Sequence, residues 1–476
     1  MNEPSQGHRI RDRVSFATPK EIVKIPVVIV GGGIAGLSAA WQLERKGFHD
    51  FVVLEMEREA GGNSCWGANE ISEFPWAAHY IPVPNRSSVV ERELFHELGL
   101  LNEDESWNDQ HLCREPQERL FIGGEWQDGL HPHIGETAKD KEDHVRFYGL
   151  IDRMRDSGDF TIAFEHEAKL KELDKITMQQ WMQENGLTSP YLFWYVDYAC
   201  RDDYGSTIDE TSAWAGIHYF ACREDTEDRV FTWPEGNGWI VKELLRKLAS
   251  KVAVNQLVYR VSLRGKTVAV YTEQKMYLAD NVIFSAPTFL APYLIEGMRP
   301  LSRDIWQYSP WLTANILLEE PPKNGKGEKI SWDNVIYNSP ALGYIAANHQ
   351  TGPRQDGKMV WTFYWALADG TPTQNRHRLL TADWNNWKEK ILRDLEKAHP
   401  DIRTCVSRVD IMRLGHAMVR PVVGAIFHEE RRRLANQSGN ILFANSDLCG
   451  FSIFEEAQHY GVKAANQVLA KVGGKK

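Results

Sequence analysis

Cysteine is scarce and scattered. The six thiols, at 65, 113, 200, 222, 405 and 449, include no CxxC pair and no small-domain framework. That pattern argues against a disulfide scaffold and suits reduced thiols, so a cytoplasmic setting is expected. Positive charge is also short. A net charge of −10 turns the chain away from nucleic acid and anionic membrane surfaces as main partners, and leaves room for a cationic small molecule. The stretch MNEPSQGHRIRDRVSF has no apolar core of a secretory signal, although a trimmed, exported (periplasmic) mature form would read the same way. No transmembrane segment is expected either. The longest uncharged run, 25–43, carries four glycines and reads as a strand followed by a turn, which suits a buried strand–helix unit. Internal repeats, coiled-coil heptads and low-complexity tracts are missing as well. What remains, with 42% apolar and 25% charged residues over 476 positions, is an ordinary globular composition long enough for two domains.

The most informative stretch that is present is VVIVGGGIAGLSAA, residues 27–40. An apolar, β-branched run is the pattern of a parallel strand buried on both faces. Gly31-x-Gly33-x-x-Gly36 follows, then apolar residues at Leu37, Ala40 and Leu43, and Gly47 placed to end a helix. FVVLE supplies a second strand, closed by Glu55 about 20 residues after Gly36, where a carboxylate meets ribose hydroxyls. Gly31 permits the tight turn, Gly33 lets backbone approach a pyrophosphate, and Gly36 lets helix and strand pack closely. The helix N-terminus adds unpaired N–H groups and a positive dipole end. Gly61-Gly62, just after the acidic residue, suits a second backbone approach to a larger dinucleotide.

Two distant segments extend the pattern. Residues 252–287 alternate like a run of strands, with turns near Arg264-Gly265 and Glu273-Gln274. In 439–470 a buried strand leads through Asn445-Ser446-Asp447 to a loop and a helix, with Ser452 and Glu455 spaced as a capping box. These three blocks, roughly 25–85, 229–290 and 410–470, resemble the flavin-containing amine oxidase superfamily, which includes monoamine and polyamine oxidases. Protoporphyrinogen oxidases and carotenoid desaturases are its wider relatives.

The resemblance implies an α/β fold: an FAD-binding Rossmann-like domain of the glutathione-reductase type, with an inserted mixed α+β substrate domain. The expected division is a 1–23 extension, an FAD-binding domain of 24–85, 229–290 and 410–476, and a substrate-binding domain of 86–228 and 291–409. The first insertion reads as mostly helical and the second as antiparallel strands. In MVWTFYWAL, Trp361, Phe363 and Trp365 fall on one face and Thr362 and Tyr364 on the other. A long helix is expected over about 382–397.

Position by position, the resemblance makes Gly31, Gly33, Gly36 and Glu55 pyrophosphate and ribose ligands of FAD. Gly62 and Asn63 stand at the family's GG-Arg motif, without the arginine. Val258 matches a residue whose backbone meets adenine, and Asp447 one on the ribityl chain. A helix starting near Ile453 points its N–H groups at the flavin. The loop 77–84, AAHYIPVP, resembles the one passing the flavin ring, which brings in His79 and Tyr80. Departures from the family are also visible. Its two flavin-flanking aromatics fall near Ile426 and Ile453, its lysine near Asn315, and its flavin-linking cysteine at Ala425, so FAD is expected to be non-covalent.

Chemistry beyond the cofactor is concentrated in 194–225, which holds Trp194, Tyr195, Asp197, Tyr198, Asp202, Asp203, Tyr204, Trp214, His218 and Tyr219. Aromatic faces with carboxylates can cage an ammonium group; a helix pair burying aromatics reads the same way. The catalytic candidates are therefore His79, Tyr80, Asp203, Trp214, His218 and His416. His131-Pro-His133 and His111-x-Cys113 lack a third ligand at useful spacing, so no metal is expected. The leading expectation is an FAD-dependent oxidoreductase taking a hydride from a small organic substrate, an amine first. A desaturase or protoporphyrinogen-oxidase-like dehydrogenase comes second, and a flavoprotein sensor or maturation partner without turnover third. The electron acceptor (oxygen, a quinone or a carrier protein) leaves no trace in the sequence.

Overall fold

A computed structural model describes residues 5–12, 14–224, 227–352 and 354–473. Residues 1–4 and 13 of the expected extension, and Asp225 of the 194–225 stretch, lie outside them. The chain divides into two compact units: Trp66–Asn237 with Gln307–Ile426, and the described residues of Glu3–Cys65, Gly238–Trp306 and Phe427–Lys476.

The second of these is built on a five-stranded, all-parallel sheet. Its strands run in the order Val252–Ala253, Phe51–Leu54, Val27–Val30, Asn281–Phe284 and Ile441–Phe443. Val27–Val30 sits at the centre and every one of its residues is buried, as a strand covered on both faces must be. Helix Ile34–Arg45 makes the crossover to Phe51–Leu54. Helix Phe454–Gly473 packs on it so closely that a Cβ at Gly461 would stand 2.2 Å from the Ala35 carbonyl oxygen. A four-stranded sheet completes the unit, with Val258–Arg264, Thr267–Thr272 and Lys275–Ala279 turning where the sequence placed turns.

The other unit centres on a seven-stranded sheet in the order Val406–Val419, Tyr308–Leu318, Met359–Ala366, Gly343–Ala346, Asp333–Ile336, Glu118–Ile122 and Glu125–Asp128. Tyr308–Leu318 is buried along its whole length. Trp361, Phe363 and Trp365 enter one core with helix Trp384–Leu395, whereas Tyr364 packs on the opposite face with helix Pro190–Tyr204.

These units differ from the expected division in four places. Residues 66–85 and 229–237 lie with the seven-stranded sheet, and so do 410–426, because Val406–Val419 pairs along Tyr308–Leu318. Residues 291–306 lie with the parallel sheet instead. The presumed extension contributes Glu21–Lys24, which pairs in parallel with Lys275–Ala279, and helix Ser5–Arg11, tied down by an Arg9–Glu273 ion pair of 2.6 Å. The first insertion is not mostly helical throughout. ERLFIGGEWQD folds as a hairpin, its Gly123-Gly124 turn taking the positive φ values (63° and 88°) that such a turn requires.

Candidate functional site

The fingerprint loop follows directly from strand Val27–Val30. Gly31 has φ 107°, and at Gly36 a Cβ would stand 2.0 Å from the Gly31 oxygen and 2.7 Å from Ser285 Oγ. Ser285 Oγ also lies 2.9 Å from the Val30 and Gly31 oxygens. The loop therefore closes only on a side-chain-free residue at 36. The second glycine pair lies against the first. Gly61 N–H donates to the Gly32 oxygen at 2.8 Å, and a Cβ on Gly62 would come 3.3 Å from the Gly33 Cα. Residues 31–33 and 61–62 thus form one bare backbone surface at the start of helix Ile34–Arg45, the arrangement that admits a pyrophosphate. Asn63 follows in a single 3-10 turn, Gly62–Ser64.

Glu55 is nearly buried beside this surface. Its Oε2 accepts from Gly32 N–H (2.7 Å) and its Oε1 from Glu57 N–H (2.8 Å). Burial nonetheless holds its carboxyl above the usual range, against those hydrogen bonds. Val258 begins its strand buried. Asp447 is buried too: Oδ2 accepts from Thr288 N–H at 2.8 Å, and its carbonyl accepts from Arg431. The helix expected near Ile453 begins at Phe454. This constellation belongs wholly to the parallel-sheet unit and has the donors and clearance of a dinucleotide cradle.

The unit with the seven-stranded sheet holds a different cluster. Glu118 and Asp333 are register partners on adjacent parallel strands, so their side chains share a face, and Asp202 comes to the same place from helix Pro190–Tyr204. Tyr80 Oη donates to Asp202 Oδ2 at 3.4 Å. The His79 ring stacks on Tyr364 (centroids 4.3 Å apart, 21° between planes) and lies 5.6 Å from Trp332. The three carboxylates lie deep in the protein yet keep some accessible surface, as side chains lining a hollow do. Burial, then mutual repulsion, pushes Glu118 up to about 7 and Asp333 well above the carboxylate range. Burial also pushes Asp202 up to about 6, against the Tyr80 hydrogen bond and Arg201. None of the three forms an ion pair with a described Lys, Arg or His. Burial lowers His79 to about 4, so its ring is neutral in ordinary buffers.

The other candidates are distributed differently. Asp203 is partly buried and within electrostatic reach of Tyr80's neighbour Tyr219. Trp214 is fully buried, packed on Phe160, Phe164 and His218. His218 is buried as well, its Nε2 3.0 Å from the Thr161 oxygen. Both are core residues because helix Ala213–Ala221 is covered on the side that carries them. Trp214→Ala is thus expected to cost about 3–5 kcal/mol of stability, read as a lower melting temperature, rather than to alter a binding surface. His416 is exposed on strand Val406–Val419, near Tyr308. Asn315 is fully buried and engaged at both ends: Nδ2 donates to the Pro75 oxygen (3.1 Å) and Oδ1 accepts from Thr362 Oγ1 (2.7 Å). Ala425 and Ile426 are fully buried.

Sequence reasoning missed Glu118, Asp333, Tyr364 and Trp332. The available signal was weak: a carboxylate at the first position of each of two short strands, which reads as an ordinary solvated strand end.

The raised carboxyls bear on stability. A group whose pKa is higher in the folded state gives stability at low pH that is lost as pH rises from its ordinary value to its folded one. For Glu118 that window runs from 4.5 to about 7. Glu118→Gln is expected to melt higher than wild type above this window, by on the order of 2 kcal/mol, with the gap closing at acid pH. Melting curves that stay parallel across pH would contradict the assignment.

Residues 29–98 match the NAD(P)-binding Rossmann-like domain family. The Baeyer-Villiger monooxygenase peniC of Penicillium patulum is 40% identical over 88 residues, 18% of this chain and 13% of peniC. AofH of Mycobacterium tuberculosis, provisionally named a flavin-containing monoamine oxidase, is 25% identical over 281 residues, 55% of this chain and 57% of AofH. The chain thus spans well under two thirds of the length of these two relatives. Among solved structures, a double mutant of putrescine oxidase superposes with a TM-score of 0.72 at 16% identity, covering 94% of this chain and all of that one. Around a Rossmann-like dinucleotide-binding domain, this chain has the fold of the flavin-dependent amine oxidases.

Proposed function

We propose that this protein is an FAD-dependent oxidoreductase whose substrate is an organic amine. The bare backbone formed by Gly31–Gly33 with Gly61–Gly62, and the Glu55 carboxylate beside it, fit the pyrophosphate and ribose of FAD. Bound there, FAD would supply the hydride acceptor. The amine reading rests on one observation: Glu118, Asp202 and Asp333 meet among aromatic rings without an ion-pair partner. Buried carboxylates take up a proton or a counter-charge, and an ammonium group facing them and the rings of Tyr364 and Trp332 can supply the counter-charge. The resemblance assigns the 77–84 loop to the flavin ring, and two side chains of that loop, His79 and Tyr80, are in the same cluster. Apolar polyenes and porphyrinogens gain nothing from three carboxylates, which disfavours the desaturase-like alternative.

The test is anaerobic flavin reduction by a panel of mono- and polyamines, followed as bleaching of the visible absorbance. Amines should reduce the flavin. Reduction by dithionite but by no amine would end the amine reading. Glu55→Ala should weaken FAD binding by about 10- to 100-fold, the worth of a charged hydrogen bond, and unchanged affinity would refute the cradle. Acid precipitation should release the flavin, since Ala425 offers no thiol and burial pushes the Cys449 thiol well up, making it a poor nucleophile.

A further inference from the structure

Glu118 and Asp333 stand side by side on neighbouring strands, and strands in a sheet lie only about 4.8 Å apart. Two carboxylates that close, away from water, do not both ionise; they share a proton. Asp202 adds a third. An acidic cluster alone would carry little, but a second feature points to a ligand. Tyr364 is 5% exposed, its hydroxyl lies near Thr362 and within electrostatic reach of Asp333 and Asp202, and no partner stands in hydrogen-bonding geometry to it. Thr362, two residues back on the same face, gives its hydroxyl proton to Asn315 instead. A buried phenol left unpaired beside carboxylates lacks a partner that a bound group can provide. Among the described residues no group of three His, Cys, Asp or Glu is arranged to hold a metal ion, whereas the rings of Tyr364 and Trp332 beside the carboxylates suit an organic cation.

We propose that Glu118, Asp202 and Asp333 form a proton-exchange cation site, in which an organic ammonium group enters as a proton leaves to solvent. The proposal deepens the amine reading and rests on it for the identity of the natural cation. In the free protein the shared proton offsets one negative charge of the cluster. A bound cation replaces it, and the departing proton goes to buffer while every bond in the cation stays intact. The surroundings permit this. Of the other groups facing the cluster, His79 is neutral, and burial keeps the Tyr80, Tyr195, Tyr198, Tyr219 and Tyr364 phenols un-ionised. Arg201, on the Asp202 helix, is engaged with Asp197 at 2.9 Å, and Arg223 acts on Tyr80. Asp203, Glu115 and Asp128 add negative charge nearby. The cluster itself is therefore the group that titrates near neutrality.

Tetramethylammonium chloride is the probe, because it has no N–H proton of its own to release. Calorimetric titration of the FAD-loaded protein in phosphate and in Tris, buffers of different ionisation heat, should show proton release that approaches about one per cation near about pH 6 and fades toward about pH 8, and affinity should rise about 10-fold between those two pH values. Asp333→Asn should lower the proton count, and Glu118→Gln, a second variant should the first fail to fold, should flatten the pH dependence. Equal heats in the two buffers, pH-independent binding, or no binding of the probe would each overturn the proposal. Proton-linked probe binding without flavin reduction by any amine would keep this site and remove the amine reading. Amine reduction without proton release would do the reverse.

Discussion

Gly36→Ala should yield a colourless protein. The substituted Cβ would stand 2.0 Å from the Gly31 oxygen, well inside contact distance, with Ser285 Oγ only 2.7 Å away on another side. The Gly31 carbonyl is backbone, and Ser285 Oγ is already engaged by the Val30 and Gly31 oxygens. Relief has to come from moving the loop off the end of strand Val27–Val30. That movement separates the Gly31–Gly33 backbone from Gly61–Gly62 and swings the N-terminus of helix Ile34–Arg45 out of line. An FAD affinity loss of at least about 100-fold, roughly 2.7 kcal/mol, is expected, since both the anion-binding N–H groups and the helix dipole lose their alignment. The ratio of visible to ultraviolet absorbance after dialysis measures it, and circular dichroism checks that the rest of the chain has folded. A yellow, stoichiometrically loaded variant would mean that this loop does not hold the cofactor.

Asp202→Asn is the second large effect. The side chain keeps its size and can still accept from Tyr80, but one of three charges facing an ammonium group is lost. In a partly dry cluster that charge counts for far more than at the surface, where such pairs are worth little. The apparent dissociation constant for an amine should rise about 10- to 100-fold, or roughly 1.4–2.7 kcal/mol, with the flavin spectrum unchanged. Asp203→Asn, one residue along the helix, should have a smaller effect. Stopped-flow flavin reduction over a range of amine concentrations separates the binding term from the limiting rate. Should Asp202→Asn leave the concentration dependence untouched, the cluster does not face the substrate.

Legibility from the sequence followed the spacing of the residues concerned. The glycine loop was readable because its parts are nearly contiguous: strand, Gly31 to Gly36, helix, strand and Glu55 fall within one crossover, where each residue's conformation follows from local backbone geometry. The strands around 252–284 were readable for the same reason, with alternation and turns marking them directly. The alternation of Trp361, Phe363 and Trp365 against Tyr364 was likewise local, and their burial on opposite faces of one sheet matches it.

The sequence by itself therefore determined the parallel β–α–β core and the glycines that leave the backbone after its central strand bare. Only the tertiary structure decided the rest. It laid Gly61–Gly62 against Gly32–Gly33, turned Trp214 and His218 into core, and left His416 exposed on a long strand. It also brought Glu118, Asp202 and Asp333 together from three segments, each separated by more than eighty residues. No local signal marks such a meeting. A carboxylate at the start of a short strand looks solvated in one dimension, and it becomes a buried, proton-sharing partner only when a neighbouring strand sets another at the same register and a helix closes over both.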